Sequence, residues 1–234
     1  RGSLKVKGLS LDVRAGEIVG VAGIDGNGQT ELVKAITGLT KVDSGSIKLH
    51  NKDITNQRPR KITEQSVGHV PEDRHRDGLV LEMTVAENIA LQTYYKPPMS
   101  KYGFLDYNQI NSHARKLMEE FDVRGAGELI AGGDLSGGNQ QKVIIGRWLL
   151  TQPDILMLDE PTRGIDIGAK FEIYQLIQEL AKKDKGIIMI SSEMPELLGV
   201  TDRILVMSNG RVAGIVETAK TSQEEILQLA AKYL

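Results

Sequence analysis

The chain predicts an α/β fold, and three observations carry that prediction. Short apolar runs alternate with amphipathic helical patterns along most of its length. A glycine-rich turn joins one such run directly to a helical pattern at residues 23–31. A second apolar run ends abruptly in two adjacent carboxylates, Asp159 and Glu160. At 234 residues the chain suffices for one large domain, or a domain with a subdomain, with a sizeable core.

Taken in order, Leu4–Val6 and Leu9–Val13 read as strands, and Glu17–Ala22 as a short buried one. The last runs into Gly23-Ile24-Asp25-Gly26-Asn27-Gly28-Gln29-Thr30, after which Glu31–Ile36 starts a helix. The phosphate-cradle pattern G-x-x-x-x-G-K-[ST] sits between a strand and a helix in the same way. Placement, both glycines and the threonine agree; the lysine is replaced by Gln29. Gly23, Asp25, Gly26, Asn27, Gly28, Gln29, Thr30 and Glu31 are therefore candidate phosphate-binding residues, with Thr30 a candidate Mg²⁺ ligand. A neutral amide donates a hydrogen bond but brings no charge. Losing one charge-assisted bond costs roughly 1.5–3 kcal/mol, about tenfold or more in affinity.

Ser46–Leu49 and Val67–Val70 are further strands, the second followed by a Pro71-Glu72-Asp73 turn. Helices then dominate: Val85–Gln92, Tyr107–Phe121 and Ser136–Leu150, with an aromatic, proline-containing loop at Tyr94–Tyr102. The third helix opens on Leu135-Ser136-Gly137-Gly138-Asn139-Gln140-Gln141-Lys142. Asp134 or Ser136 would serve as its N-cap. Two glycines in its first turn each cost up to about 1 kcal/mol, so a helix opening of this kind suggests a close approach to its backbone. A strand at 154–158 leads to Asp159 and Glu160, where carboxylates can hold a metal and polarise a water. Helix 167–182, strand Gly186–Ile190, helix Met194–Val200, strands Arg203–Met207 and Arg211–Val216, and helix Ser222–Tyr233 complete the series. Asn209-Gly210 between the last two strands is a strong hairpin turn.

Composition excludes several classes. Net charge is −2 with acids and bases interspersed, so no nucleic-acid footprint is expected. There is no cysteine, hence no disulfide or thiolate metal site. No apolar run approaches the roughly 18 residues of a membrane span, and there is no signal-peptide pattern. The opening Arg1-Gly2-Ser3, without Met, reads as the start of a piece cut from a longer protein, with residues of cloning origin.

With its phosphate loop, Leu135–Gln141, Asp159-Glu160 and their order along the chain, the sequence resembles an ABC-type ATPase. The resemblance implies a P-loop NTPase core with a β-subdomain and a helical subdomain: core about 1–74 and 151–234, helical part about 75–150. It implies ATP and Mg²⁺ as cofactors. Asp159 then matches the Mg²⁺-holding aspartate and Glu160 the general base. Glu72 stands where a glutamine touches the metal and the attacking water. Asp166, in Gly164-Ile165-Asp166, falls in the loop that crosses the interface between paired domains. Ser192 stands where a switch histidine is usual. Leu135, Ser136, Gly137, Gly138, Asn139 and Gln140 form the signature that closes over the ATP of the opposite domain.

Val70-Pro71-Glu72-Asp73-Arg74, Pro161-Thr162-Arg163-Gly164-Ile165-Asp166 and the neutral phosphate loop resemble more narrowly the second nucleotide-binding domain of duplicated sugar and nucleoside importer subunits. This implies as partners an N-terminal nucleotide-binding domain on the same polypeptide, transmembrane permease subunits and, indirectly, a substrate-binding protein. It implies a peripheral location on the cytoplasmic face of the membrane. The chain's own site would be degenerate, and its signature would serve the partner's ATP. A non-catalytic ABC-fold module and a soluble non-transport ABC ATPase are the rival readings.

Overall fold

The computed structural model describes residues 5–24 and 26–234. In chain order the elements are β1 (Ile18–Gly23), α1 (Gln29–Ile36), β2 (Lys48–Leu49), β3 (Lys52–Asp53), α2 (Pro59–Glu64), β4 (Val67–Val70) and α3 (Val85–Ala90). Next come β5 (Ser100–Lys101), β6 (Phe104–Leu105), α4 (Tyr107–Glu120), α5 (Gly137–Leu149) and β7 (Ile155–Asp159). Last are α6 (Ile167–Lys182), β8 (Gly186–Ile190), α7 (Met194–Val200), β9 (Arg203–Ser208), β10 (Arg211–Glu217) and α8 (Gln223–Ala230). Two compact units result. One comprises residues up to His69, Pro153–Glu160 and Ile177–Leu234; the other comprises Val70–Gln152 and Pro161–Leu176.

The first unit is built on a six-stranded sheet of order β10-β9-β1-β8-β7-β4. β1 pairs in parallel with β8 and β9, β7 pairs in parallel with β8, and β10 closes the edge antiparallel to β9. Parallel strands covered on both faces read as continuous apolar runs, and Ile18, Val19, Val21, Leu156, Met157, Leu158, Ile187, Ile188 and Met189 are all buried. Register sets the site. Val21 pairs with Ile190, and Ile190 with Asp159, so the ends of β1, β8 and β7 share one edge of the sheet. That carboxyl edge is where open α/β sheets bind ligands. Asn209 and Gly210 both have positive φ (46° and 75°), as the predicted tight β9–β10 turn requires.

The expected strands at 4–6 and 9–13 are not found among the described residues, where 5–16 carry no strand. The alternation is real: Val6, Leu9, Leu11 and Val13 pack on the core of Val21, Leu32, Val33, Met157 and Ile190. What is missing is a ladder. Among the described residues, a backbone bond from Lys7 N–H to Gly210 C=O at 2.7 Å ties the stretch to the β9–β10 turn. Apolar spacing selects the facing side chains but does not supply a neighbouring strand.

The second unit is helical. α3 carries a full capping box between Thr84 and Glu87 and buries Val85, Ala86 and Ile89. α4 buries Ile110, Ala114, Leu117 and Met118. α5 is buried on nearly all sides from Gly138 to Trp148, polar Gln140, Gln141, Lys142 and Arg147 included. A helix enclosed in this way finds partners for only part of its polar groups: Gln141 Oε1, Arg147 Nε and Trp148 Nε1 are buried without one. Lys142 Nζ reaches Glu172 at 2.6 Å and donates to the Asp122 carbonyl at 2.9 Å. The Lys142 hydrogen bond, against a small opposing cost of burial, holds the Glu172 carboxyl below the usual carboxylate range. Arg147 donates to Gly78 C=O at 2.5 Å, and burial lowers its guanidinium to about 10.

Candidate functional site

The phosphate-loop candidate lies at the sheet edge of the first unit. β1 ends at Gly23 and α1 begins at Gln29; Asp25 lies outside the described residues. Asn27 is 4% exposed and uses its side chain to pin the loop. Its Oδ1 accepts from Asn209 N–H at 3.1 Å, its Nδ2 donates to Met207 C=O at 3.3 Å, and its carbonyl accepts from Gly210 N–H at 2.9 Å. Gly28 has φ 105° and would place a Cβ 2.8 Å from the Lys5 carbonyl, so only glycine fits. Gly26, at φ 83°, faces open space on the side where a Cβ would project.

Gln29 folds back into the loop. Its Nε2 donates to Ile24 C=O at 3.3 Å, and a Cβ on Gly23 would collide with that nitrogen. No side chain caps α1 at Gly28. The first-turn amides, with Thr30 exposed and Glu31 half-buried beside them, therefore form an anion-receptive helix end.

Two further elements reach the same edge. Asp159 closes β7 and is 8% exposed. Glu160 takes φ 47°, a left-handed conformation that a non-glycine residue adopts at a cost of order 1 kcal/mol. Its N–H donates to Ile190 C=O at 2.9 Å, which holds this backbone in place. Its carboxylate accepts from Ser192 N–H at 2.7 Å and from Ser192 Oγ at 3.2 Å. The structure thus brings Glu160 and Ser192, 32 residues apart, into direct contact. Just before it, Ser191 Oγ donates to the buried Glu196 at 2.6 Å and fixes the turn into α7.

The residues fit a magnesium nucleotide in part. An open glycine loop and uncapped amides suit phosphates, and Thr30 with Asp159 suits a metal bound mainly by phosphate oxygens and water. Among the described residues no three acids or histidines converge into a cluster that would hold a metal alone. Gln29 is neutral and would bring no cation to a bound phosphate.

The signature candidates lie in the second unit. Ser136 caps α5: its Oγ accepts from Asn139 N–H at 3.5 Å and Asn139 Nδ2 at 3.0 Å. Asn139 Oδ1 accepts in turn from Arg124 N–H at 2.9 Å. Leu135 and Gln140 are buried; Gln140 donates to Gly132 C=O at 3.3 Å and lies 3.0 Å from His75 Nε2. Ser136 is exposed.

Gly138 has an internal reason that sequence alone did not give. A Cβ there would sit 2.5 Å from the Ala169 methyl, whereas at Gly137 the nearest atom is an Arg74 guanidinium nitrogen at 3.3 Å. The two glycines should therefore respond oppositely to alanine. Gly138→Ala gains about 1 kcal/mol of helix propensity but loses roughly 1–3 kcal/mol to overpacking. Its urea midpoint should fall and recover in Gly138→Ala/Ala169→Gly. Gly137→Ala should match or exceed the parent; equal losses at both positions would refute the assignment.

Glu72 and Asp166 also lie in the second unit. The Glu72 carboxylate is paired with the Arg163 guanidinium. Arg74 donates through Nη1 to the Arg163 carbonyl and through Nη2 to Gly164 C=O at 3.4 Å. Asp166 Oδ1 accepts from Ala169 N–H at 3.0 Å at the start of α6. A cleft of about 450 Å³ is lined by Glu72, Asp73, Arg74, His75, Arg76 and Arg163. Arg74 and Arg163 belong to motifs that carry the narrower resemblance, but with His75 they were not among the candidate site residues. Their only signal was an arginine or histidine within or beside each motif.

Comparison with known proteins agrees with this architecture. The family described as ABC transporter matches residues 6–163. The chain is 73% identical over 226 residues to the nucleoside import ATP-binding protein NupA of Lactococcus lactis subsp. cremoris, covering 97% of this chain and 45% of that protein. It is 56% identical over 229 residues to the galactose/methyl galactoside import ATP-binding protein MglA of Haemophilus influenzae, covering 98% and 45%. The chain thus spans about half the length of these relatives. Among solved structures it resembles a nucleotide-free ATP-binding cassette from an ABC transporter, with TM-score 0.79 and 27% identity, covering 98% of this chain and 90% of that one. An ADP-bound cassette aligns with TM-score 0.78 and 27% identity, covering 98% and 90%. By fold, motif order and sequence match, the chain belongs to the ABC transporter family and is an ABC ATPase domain of α/β architecture.

Proposed function

We propose that this chain is the second nucleotide-binding domain of a duplicated importer ATPase, with a degenerate site of its own and a working signature for its partner. The carrying observation is a contrast. The signature helix is capped by Ser136, whereas the phosphate loop carries a neutral Gln29 whose amide donates back to Ile24 C=O. The partner would be a first nucleotide-binding domain on the same polypeptide. Permease subunits would dock on the loop after Glu72 and on residues 80–105, placing the domain at the cytoplasmic face of the membrane. No helix among the described residues is long and apolar enough to cross a membrane, so attachment would run through those subunits. The nucleoside-importer relative is the more similar of the two at 73% against 56% identity, which favours a nucleoside over a sugar as cargo.

In this chain's own site Thr30 and, through water, Asp159 would hold Mg²⁺. The ion would neutralise phosphate charge. Glu160, oriented by Ser192, is placed as a base, but Ser192 carries no imidazole to reach a γ-phosphate. Soluble non-transport ABC ATPases usually add coiled-coil arms, a pattern the sequence lacks.

The isolated chain should therefore release phosphate far below the enzyme median of about 10 per second at millimolar ATP and Mg²⁺. Gln29→Lys should tighten Mg·ATP binding about tenfold or more in calorimetric titration, with little gain in turnover. The new ammonium can still donate to Ile24 C=O, so the loop should keep its shape. Rapid turnover by the parent, or unchanged affinity in the variant, would overturn this reading.

A further inference from the structure

We infer that Glu72 is a positioning residue rather than a metal ligand: with Arg163 and Arg74 it latches the loop at 162–166 onto the loop at 72–78. The importance of 162–166 as an interface loop rests on the function proposed above; the latch itself stands on the contacts.

Three independent bonds join the two loops, all within the second unit. The Glu72 carboxylate takes the Arg163 guanidinium. Arg74 donates to the carbonyls of Arg163 and Gly164. Gly164 has φ 66° and lies with Arg163 in the turn before α6, outside the regular elements. The planar fork of arginine suits two adjacent carbonyls; lysine's single ammonium does not. Arg74 is half-buried, and burial draws its guanidinium below the ordinary value against the opposing pull of Asp73.

The remainder of loop 72–78 is held to α5. Asp73 accepts from the N–H groups of His75 and Arg76 at 3.0 Å each, which shapes the turn. His75 meets Gln140 at 3.0 Å, and Gly78 accepts from Arg147 at 2.5 Å. The loop is therefore a shared mount. One side carries the signature helix, the other the loop that leads to Asp166.

Glu72 and Arg163 are thus one compensated feature. Arg163 offsets the negative charge that a lone acid at position 72 would bring. A carboxylate engaged in this pair is a poor candidate for a metal. Glu72 is 41% and Arg163 65% exposed in their side chains, so the pair alone is a modest restraint. The two Arg74 bonds supply the rest.

Amide hydrogen exchange of residues 162–168 in the full chain, without nucleotide, tests this. Glu72→Gln and Arg163→Gln should each speed exchange there about two- to fivefold, as expected for an exposed ion pair. The double variant should exchange no faster than either single one, because the same bond is lost once. Arg74→Lys should speed exchange about tenfold, with the global urea midpoint little moved. Additive single effects, or unaltered exchange in all variants, would overturn the latch. So would Glu72→Gln weakening Mg²⁺-dependent nucleotide binding while exchange at 162–168 stays at the parental rate. Because the exchange is read without nucleotide, a failed latch and a failed nucleotide assignment give different results.

Discussion

Replacing Asn88 with leucine is expected to lower the unfolding free energy of the helical unit by roughly 1–3 kcal/mol. Asn88 is fully buried, yet every polar atom of its side chain is used. Its Oδ1 accepts from Val80 N–H at 2.8 Å. Its Nδ2 donates to Val80, Met83 and Thr84 carbonyls at 2.9, 3.2 and 3.1 Å. Leucine has similar bulk but leaves the Val80 N–H without its acceptor, while the Val80, Met83 and Thr84 carbonyls keep the backbone N–H groups of Met83, Gly132 and residue 88. Each group that water cannot reach costs about 1–3 kcal/mol. Gly132 lies so close that a Cβ there would meet Asn88 Nδ2 at 2.9 Å, so little room exists for repacking. The Thr84–Glu87 box survives the change and should preserve α3. The loss should therefore concentrate in 79–84, inside the surface assigned above to permease docking. Urea titration with exchange mapping checks this; a loss under about 0.5 kcal/mol, or loosening elsewhere, would contradict it.

The sheet was legible because its physics is local. β4, α6, β8 and α7 begin and end where the apolar runs and flanking turns place them. Asn209-Gly210 forms its turn because those two residues tolerate positive φ. β3, α2 and the β5–β6 hairpin have no counterpart among the expected elements. α2 starts at Pro59, where proline is a helix-start signal. The β5–β6 hairpin turns on Tyr102-Gly103, with φ 52° and 84°, and tyrosine gives no such warning.

At the candidate site, motif positions were readable and their contacts were not. Glu72 with Arg163, Glu160 with Ser192, and Gly138 with Ala169 meet across 91, 32 and 31 residues of chain. Which residues meet at such separations is set by strand register and helix packing. Composition and spacing carry no record of it. Glu72 illustrates the consequence. As a sequence position it stood for a catalytic or metal-binding group, and only the partner brought from position 163 suggests another role.

The central claim is that the signature here serves a partner's ATP while the local base is secondary. Ser136 is exposed at the N-terminus of α5, where a phosphate from another domain would approach. Ser136→Arg places a long side chain across that approach, and its steric cost outweighs the added charge. The fold should survive, at the loss of one N-cap worth about 1 kcal/mol. Glu160→Gln keeps an acceptor for Ser192 N–H and removes only the local base. The deciding measurement is the ratio of the two losses in ATP turnover, in the full-length protein assembled with its membrane subunits. The account predicts that Ser136→Arg lowers turnover by roughly 100-fold or more, the size seen when a preorganised transition-state donor is lost, with a much smaller loss for Glu160→Gln. Abolished hydrolysis in Glu160→Gln alongside intact hydrolysis in Ser136→Arg would show that the working site has been assigned to the wrong domain.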